Sequence, residues 1–167
     1  MADETSPGAA AERKTLVVYY SRTGNTRKVA EAIQEALGCD MEEIIDRKDR
    51  GGVLGYVVGA IEAALKKCTE IGEVRMDPGA YDLVVIGSPV WSTAPPAIRT
   101  YINRYRDSLN DVAFFLTAIG VGVGRTSRSM AKFCGKEPAA ELLLKAGVIR
   151  KGDWRRQVQE FAEKLRK

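Results

Sequence analysis

The 167-residue sequence contains no histidine. That absence excludes Ser–His–Asp and Cys–His catalysis and every histidine-ligated metal site. Cysteine is scarce too: Cys39, Cys68 and Cys134 are widely spaced and form no CxxC motif. Such spacing argues against a disulfide framework and a zinc site. We therefore predict three free thiols, interpreted as small core or surface residues rather than nucleophiles, a reducing cytosol, and no metal centre.

The sequence also lacks a recognisable targeting or membrane-spanning segment. Residues 1–14 carry three carboxylates and no apolar stretch of the kind found in signal peptides. We interpret residues 1–13 as a flexible tail and residues 14–167 as a single domain. The longest apolar run, residues 112–124, is too short to cross a bilayer. These features predict a cytoplasmic protein with no membrane partner.

Acidic residues are missing from one long stretch, residues 83–106, which contains no Asp or Glu. The chain as a whole has 26 basic and 22 acidic residues, a net charge of +4. The basic excess lies in residues 145–167, and no basic stripe crosses the middle of the chain. We therefore do not predict a nucleic-acid partner, although it stays a minor alternative.

What the sequence does contain is a fivefold alternation of apolar runs and helical stripes. Residues 15–20, 41–45, 81–86, 111–117 and 140–144 are predicted strands, and their continuous apolar character is typical of a parallel sheet covered on both faces. Predicted helices follow each strand: one ends at Gly38, one begins at two prolines, one covers residues 127–134, and the last is capped by Asp153. In such folds, ligands bind at the carboxyl ends of the strands.

The second predicted helix, residues 53–67, has a distinct composition. Its large apolar residues lie on one side of the helix: Leu54, Val57, Val58, Ile61 and Leu65. Gly55 and Gly59 are one turn apart and would permit close packing against a neighbour, but they also lower helix propensity.

Three loops at predicted strand ends have unusual compositions. Residues 21–26 place hydroxyl side chains, a glycine and an asparagine before a helix, as in an anion site at a helix N-terminus. The alternative is a plain turn with Asn25 or Thr26 as the N-cap. Residues 87–93 carry Trp91, predicted at an exposed loop tip where it would stack on a flat partner, or else fold back on its own domain. Residues 117–124 have alternating glycines that permit close backbone approach to a ligand, or form only a flexible turn.

Taken together, these loops resemble the flavodoxin-like family that binds FMN, over roughly residues 14–166. The resemblance implies a three-layer α/β/α sandwich with a five-stranded parallel sheet of order 2-1-3-4-5. It also implies an FMN site without catalytic residues in the protein. The phosphate would lie against Ser21, Arg22, Thr23, Gly24, Asn25 and Thr26. The flavin ring would lie between Ser88, Pro89, Val90, Trp91 and Ser92 on one side and Thr117, Ala118, Ile119, Gly120, Val121 and Gly122 on the other.

The sequence departs from short-chain flavodoxins in two ways. Those carriers are commonly acidic, whereas the predicted flavin loops here lack carboxylates, so we expect a less negative reduction potential. Carriers often have a tyrosine in the third loop, and residues 117–124 have no aromatic, which would leave one flavin face open. Arg125 and Arg128 follow, either to meet a substrate phosphate or as ordinary surface charge.

Four functions remain open from the sequence. The favoured one is a flavoprotein in electron transfer that reduces a quinone or small acceptor with NAD(P)H. The second is a one-electron carrier docking to a redox partner protein, and the third is a flavin-free interaction module. A nucleic-acid role is the minor fourth. The sequence leaves the oligomeric state open: flavodoxin-like reductases often dimerise and carriers are often monomers, so a homodimer would accompany the first function and a monomer the second. A response-regulator receiver is excluded, because the first and third strands do not end in the acidic residues that would bind Mg²⁺.

Overall fold

A computed structural model of the protein describes residues 13–48, 52–120 and 123–167. Within them, five parallel strands form one sheet in the order β2-β1-β3-β4-β5. The strands are β1 (Thr15–Tyr19), β2 (Asp40–Glu43), β3 (Leu83–Pro89), β4 (Asp111–Ala118) and β5 (Glu141–Lys145). The predicted fold class and strand order are confirmed.

Helices cover both faces of this sheet. They are α1 (Asn25–Leu37), α2 (Gly52–Ala64), α3 (Pro96–Tyr105), α4 (Val123–Cys134), α5 (Ala146–Lys151) and α6 (Arg155–Leu165). α1, α5 and α6 bury their apolar sides against one face, and α3 and α4 against the other. The described helices are too short or too polar to cross a bilayer.

Several predicted boundaries were wrong. The second strand begins at Asp40 and ends at Glu43, and α4 begins four residues earlier than predicted, at Val123. Asp153 is not the cap of the last helix, because Trp154 occupies the N-cap position of α6 and no side chain caps it. The six-residue α5 was missed, since so short a helix offers no apolar periodicity to detect.

The packing at the centre of the sheet requires a glycine at position 87. A Cβ there would lie 1.9 Å from Cζ of Phe115, which is fully buried on the neighbouring strand β4. The Phe115 ring thus fills the space beside Gly87, near the carboxyl end of β3. The glycine that the sequence places at this strand end therefore has a packing role.

α2 packs on the domain through small residues. The large apolar side chains that the sequence places on one side of this helix are exposed: Leu54, Val57, Val58, Ile61 and Leu65. The residues it buries are the small Gly59 and Ala63. The helix therefore lies on the domain through its small residues, and its bulky apolar face points away. The close packing predicted for Gly59 is confirmed, since Trp91 lies against it.

Candidate functional site

The carboxyl ends of β1, β3, β4 and β5 meet at one edge of the sheet, and a cleft of about 420 Å³, measured to its open mouth, lies there. It is lined by Arg22, Thr23, Asn25, Thr26, Tyr56, Pro89, Val90, Trp91, Thr117, Ala118, Ile119 and Ala146. All three predicted loops therefore contribute to one cleft.

The floor of the cleft at the β1 side is the beginning of α1. Gly24, with φ of 89°, occupies the N-cap position, a left-handed conformation that glycine adopts without strain. Ser21 Oγ accepts hydrogen bonds from the backbone N–H groups of Gly24 and Arg27, both at 3.2 Å. Neither Asn25 nor Thr26 is the cap, since both lie inside the helix. No carboxylate lies in the first turn of α1, so the positive end of the helix dipole faces the cleft without a competing charge.

Buried polar contacts join the loops. Thr26 Oγ1 and Thr117 Oγ1 are 2.8 Å apart, and both residues are almost fully buried. The backbone N–H of Val90 donates to Thr117 O at 2.8 Å, so the ends of β3 and β4 are fixed to each other. Because these bonds do not depend on a ligand, the strand-end side of the cleft is pre-formed.

The prediction that Trp91 lies at an exposed loop tip is wrong. Trp91 is only 5% exposed, and its indole lies edge-on to the rings of Tyr20 and Tyr56, with centroids 6.0 and 6.3 Å away. Thr126 Oγ1 donates to its carbonyl oxygen at 3.1 Å. The tryptophan therefore folds back onto its own domain, the alternative considered from the sequence, while still lining the cleft.

Tyr56 is a cleft residue that the sequence reasoning missed. It lies on α2, and the Arg22 guanidinium stacks over its ring at 5.1 Å from the centroid. Arg22 Nη1 also donates to Gly52 O at 3.3 Å. These contacts connect the first loop to the beginning of α2. The heptad-like apolar pattern of α2 offered no signal for a site residue, and Ala146, also missed, follows β5 in an unremarkable sequence.

Some predicted site residues do not line the cleft. Ser88 is buried, and its hydroxyl donates a hydrogen bond to Pro89 O. Ser92 Oγ donates to Ala60 O at 3.1 Å. Ser21, Gly24 and Gly120 lie beside the cleft without lining it. Val121 and Gly122 lie outside the described residues. Arg128 does not reach the cleft, since its Nε donates to Gly124 O within its own helix.

The cleft has an uneven charge distribution. Arg22 is the one charged side chain among the described lining residues, and no Asp or Glu lines it. The polar donors cluster at the α1 end, whereas the side formed by β3 and β4 is apolar: Pro89, Val90, Trp91, Ala118 and Ile119. An anion bound at one end and a flat apolar group at the other would match this arrangement.

Known structures repeat this architecture. A flavoprotein from Lactobacillus acidophilus, solved in complex with FMN, superposes with a TM-score of 0.70 at 24% identity, covering 83% of this chain and 97% of that one. A provisionally assigned flavoprotein from Bacteroides eggerthii superposes with a TM-score of 0.68 at 26% identity, covering 84% of this chain and 95% of that one. The chain has the flavodoxin-like fold. Oxidised flavodoxin 2 from Bacillus cereus shares this flavodoxin-like fold at 17% identity and a TM-score of 0.57, covering 91% and 97%. No family model and no curated protein matches the sequence.

Proposed function

We propose that this flavodoxin-like chain is an FMN-binding flavoprotein that acts in electron transfer, reducing a quinone or another small acceptor with NAD(P)H. The observation that carries the proposal is that one cleft joins a helix N-terminus to an apolar wall at the strand ends. Similar structures include an FMN complex, which supports FMN as the ligand.

The residues present fit a phosphorylated flavin. The first turn of α1 offers backbone N–H groups, and Thr23, Asn25 and Arg22 offer side-chain donors to a phosphate. At the other end, the apolar residues of β3 and β4 would cover a ring system and exclude water from it. Bound FMN would supply the redox chemistry, and the protein would supply position and electrostatics.

The open side of the cleft favours a small acceptor. Ile119 is 79% exposed at the mouth, and its neighbours in the cleft wall, Ala118 and Ala146, are small. No aromatic side chain from the described part of β4 or β5 lines this side. A planar apolar molecule such as a quinone could therefore approach without displacing a covering side chain.

The binding step is tested by titrating the flavin-free protein with FMN and with riboflavin, which lacks the phosphate. We expect FMN to bind more tightly. Arg22→Ala should weaken FMN by about tenfold, the size of one charge-assisted hydrogen bond, and leave riboflavin nearly unchanged. Arg128→Ala is the matched control, since Arg128 lies away from the cleft. A protein that is colourless as purified and does not bind added FMN contradicts the proposal and supports a flavin-free module.

The reaction is tested separately, by anaerobic addition of NADH or NADPH to the FMN-loaded protein, followed by a quinone. We expect bleaching of the flavin absorbance and steady-state oxidation of the nicotinamide. Bound FMN that neither nicotinamide reduces would contradict the reductase proposal and favour a carrier that receives electrons from a protein.

A further inference from the structure

The outer face of α2 carries a continuous apolar stripe. Leu54, Val58, Ile61 and Leu65 are 81, 40, 52 and 61% exposed. The backbone N–H of Leu65 donates to Ile61 O at 2.8 Å, so the helical path reaches the last of the four. Isolated exposed apolar residues are ordinary on a protein surface, but a contiguous stripe of this kind marks an interaction site.

The stripe lies opposite the face that attaches α2 to its own domain. At 100° per residue, Gly59 and Ala63 are about 130–170° around the helix from the centre of the stripe. These two are the residues that α2 buries. Their small size places the α2 backbone close to the domain, and it leaves the large residues facing outward. A helix that is apolar on all sides is normally buried on all sides.

The spacing of the stripe matches a helix–helix seam. The four residues follow each other at intervals of four, three and four, which are the a and d positions of two heptads. A seam of this kind fits a second helix with the same spacing. Turned antiparallel about a two-fold axis between Val58 and Ile61, the stripe opposes its own copy, with Val58 facing Ile61 and Leu54 facing Leu65.

Charge also favours a second copy. Glu62 is the one charged residue of α2, and it lies on the flank of the helix in an ion pair with Lys48. Within Gly52–Ala64, the seam therefore meets its own copy without like-charge repulsion. An amphipathic helix that binds lipid carries Lys and Arg along its polar face, and α2 has neither until Lys66 and Lys67 follow the end of the stripe.

The length of the stripe favours association with a second helix. Together with Val53 and Val57, which are 81 and 45% exposed, it gives α2 an apolar surface along its whole length, and an interface of the standard ~800 Å² per partner would have this surface at its centre. We propose that α2 is the homodimer interface of this protein, packed antiparallel against α2 of a second copy. The proposal does not depend on flavin binding.

The test is the molar mass of the full chain in solution, measured by light scattering and sedimentation from about 1 to 100 μM. We expect a dimer. Val58→Lys and Ile61→Glu should each raise the dimer dissociation constant at least about 100-fold, because each would bury an unpaired charge. Leu143→Lys is the control, since Leu143 is an exposed apolar residue on β5 and should leave the dimer intact.

Mixing the two variants gives a second, independent test. In the antiparallel pair, position 58 of one chain faces position 61 of the other, so the introduced lysine and the introduced glutamate would meet across the seam. An equimolar mixture should therefore form more dimer than either variant alone. Circular dichroism checks that each variant is folded. A wild-type protein that stays monomeric to 100 μM overturns the proposal, and so does a dimer that both substitutions leave intact. Binding of the monomer to anionic vesicles would identify a lipid occupant instead.

Discussion

Gly59 lies so close to the indole of Trp91 that a Cβ at position 59 would stand 2.6 Å from Cζ3 and 2.7 Å from Cη2. The same tryptophan lines the cleft and lies edge-on to Tyr56 of α2. The position of α2 and the shape of the cleft wall are therefore linked through this contact. This links the helix that carries the proposed interface to the proposed flavin site.

Replacing Gly59 with alanine should disturb both the packing of α2 and the shape of the cleft wall. The added methyl cannot be accommodated unless Trp91 or α2 moves, and overpacking of this kind costs about 1–3 kcal/mol. We expect a lower free energy of unfolding by urea denaturation and weaker FMN binding by fluorescence titration. Gly147→Ala is the control, because a Cβ there meets no atom within 4 Å and alanine favours the helix. Equal stability of Gly59→Ala and wild type would show that the indole shifts without cost.

Arg99 is a buried cation without a carboxylate partner among the described residues. Nη2 donates at 3.2 Å to the oxygens of Ala63 and Ala94 and to Thr93 Oγ1, but Nε and Nη1 have no partner, and burial lowers the pKa of the guanidinium. Ala63 O would keep two other donors, Thr93 Oγ1 and the N–H of Lys66, if the arginine were removed.

Arg99→Met should raise the free energy of unfolding by about 1–2 kcal/mol, because relief of charge burial by a side chain of similar length outweighs the loss of the hydrogen bond to Ala94 O. Arg99→Ala should instead lower it by about 2–4 kcal/mol, since it leaves a cavity beside Phe133, whose ring lies 4.6 Å from the guanidinium. Urea denaturation of both variants separates the two effects. Destabilisation of equal size in both would mean that the hydrogen bonds outweigh the cost of burying the charge.

α2 ends at a strained residue, Lys66, whose φ is 56°. The N–H of Lys67 donates to Glu62 O at 2.9 Å, which is the terminal bond of a Schellman motif, and glycine is the residue usually found at the left-handed position. Lys66→Gly should therefore stabilise the protein by about 0.5–1 kcal/mol in thermal denaturation. Lys67→Gly is the control, because Lys67 is the next residue and does not have a positive φ. It should not raise the melting temperature. Equal effects at the two positions would contradict this interpretation of the helix end.

The three cysteines are free, as predicted, and differ in exposure. Burial raises the pKa of Cys39 to about 11 and that of Cys134 to about 12, whereas Cys68 is exposed. Since the thiolate is the reacting form, an aromatic disulfide reagent at pH 8 should modify one thiol quickly and the other two only after denaturation. Cys68→Ser should abolish the fast phase. A fast phase that persists in this variant would contradict the buried placement of the other two.

The raised thiol pKa values also predict alkaline destabilisation. An unfolded cysteine loses its proton near pH 8.5, while the folded protein retains it to about pH 11 at Cys39. The stabilising contribution is therefore complete below pH 8.5 and is lost as pH rises from there. Urea denaturation from pH 8 to 10 should show a falling free energy of unfolding, with a shallower slope in Cys39→Ala.

The fold was predictable because its signals are local. Continuous apolar runs identified four of the strands closely. Gly38 marked the end of α1, and Pro95 and Pro96 marked the beginning of α3. The three site loops were found because parallel strands bring their carboxyl ends to one edge. The exposed position predicted for Trp91 was wrong, and the outward orientation of the α2 stripe was not predicted, for one shared reason. The sequence identifies apolar residues but does not show which element packs against them: Trp91 packs against Gly59, whereas the stripe of α2 faces outward.

The final prediction concerns the reduction potential of bound FMN. Reduced FMN is anionic, and a carboxylate nearby makes that anion more costly, whereas the described lining residues include Arg22 and no Asp or Glu. We therefore expect a less negative potential than in an acidic flavodoxin. Anaerobic spectroelectrochemistry of the FMN-loaded protein against such a flavodoxin measures it.

A negative charge introduced at the mouth of the cleft tests whether the local absence of carboxylates sets the reduction potential. Ile119 is highly exposed, so Ile119→Asp should fold normally and place a carboxylate beside the open side of the cleft. At roughly 8 Å and an effective dielectric constant of about 20, the repulsion is about 2 kcal/mol, which corresponds to a potential roughly 40 mV more negative for a two-electron couple. Leu143→Asp adds the same charge on β5 as a control and should change the potential less. Equal shifts in the two variants would mean that net charge, rather than the local absence of carboxylates, sets the potential.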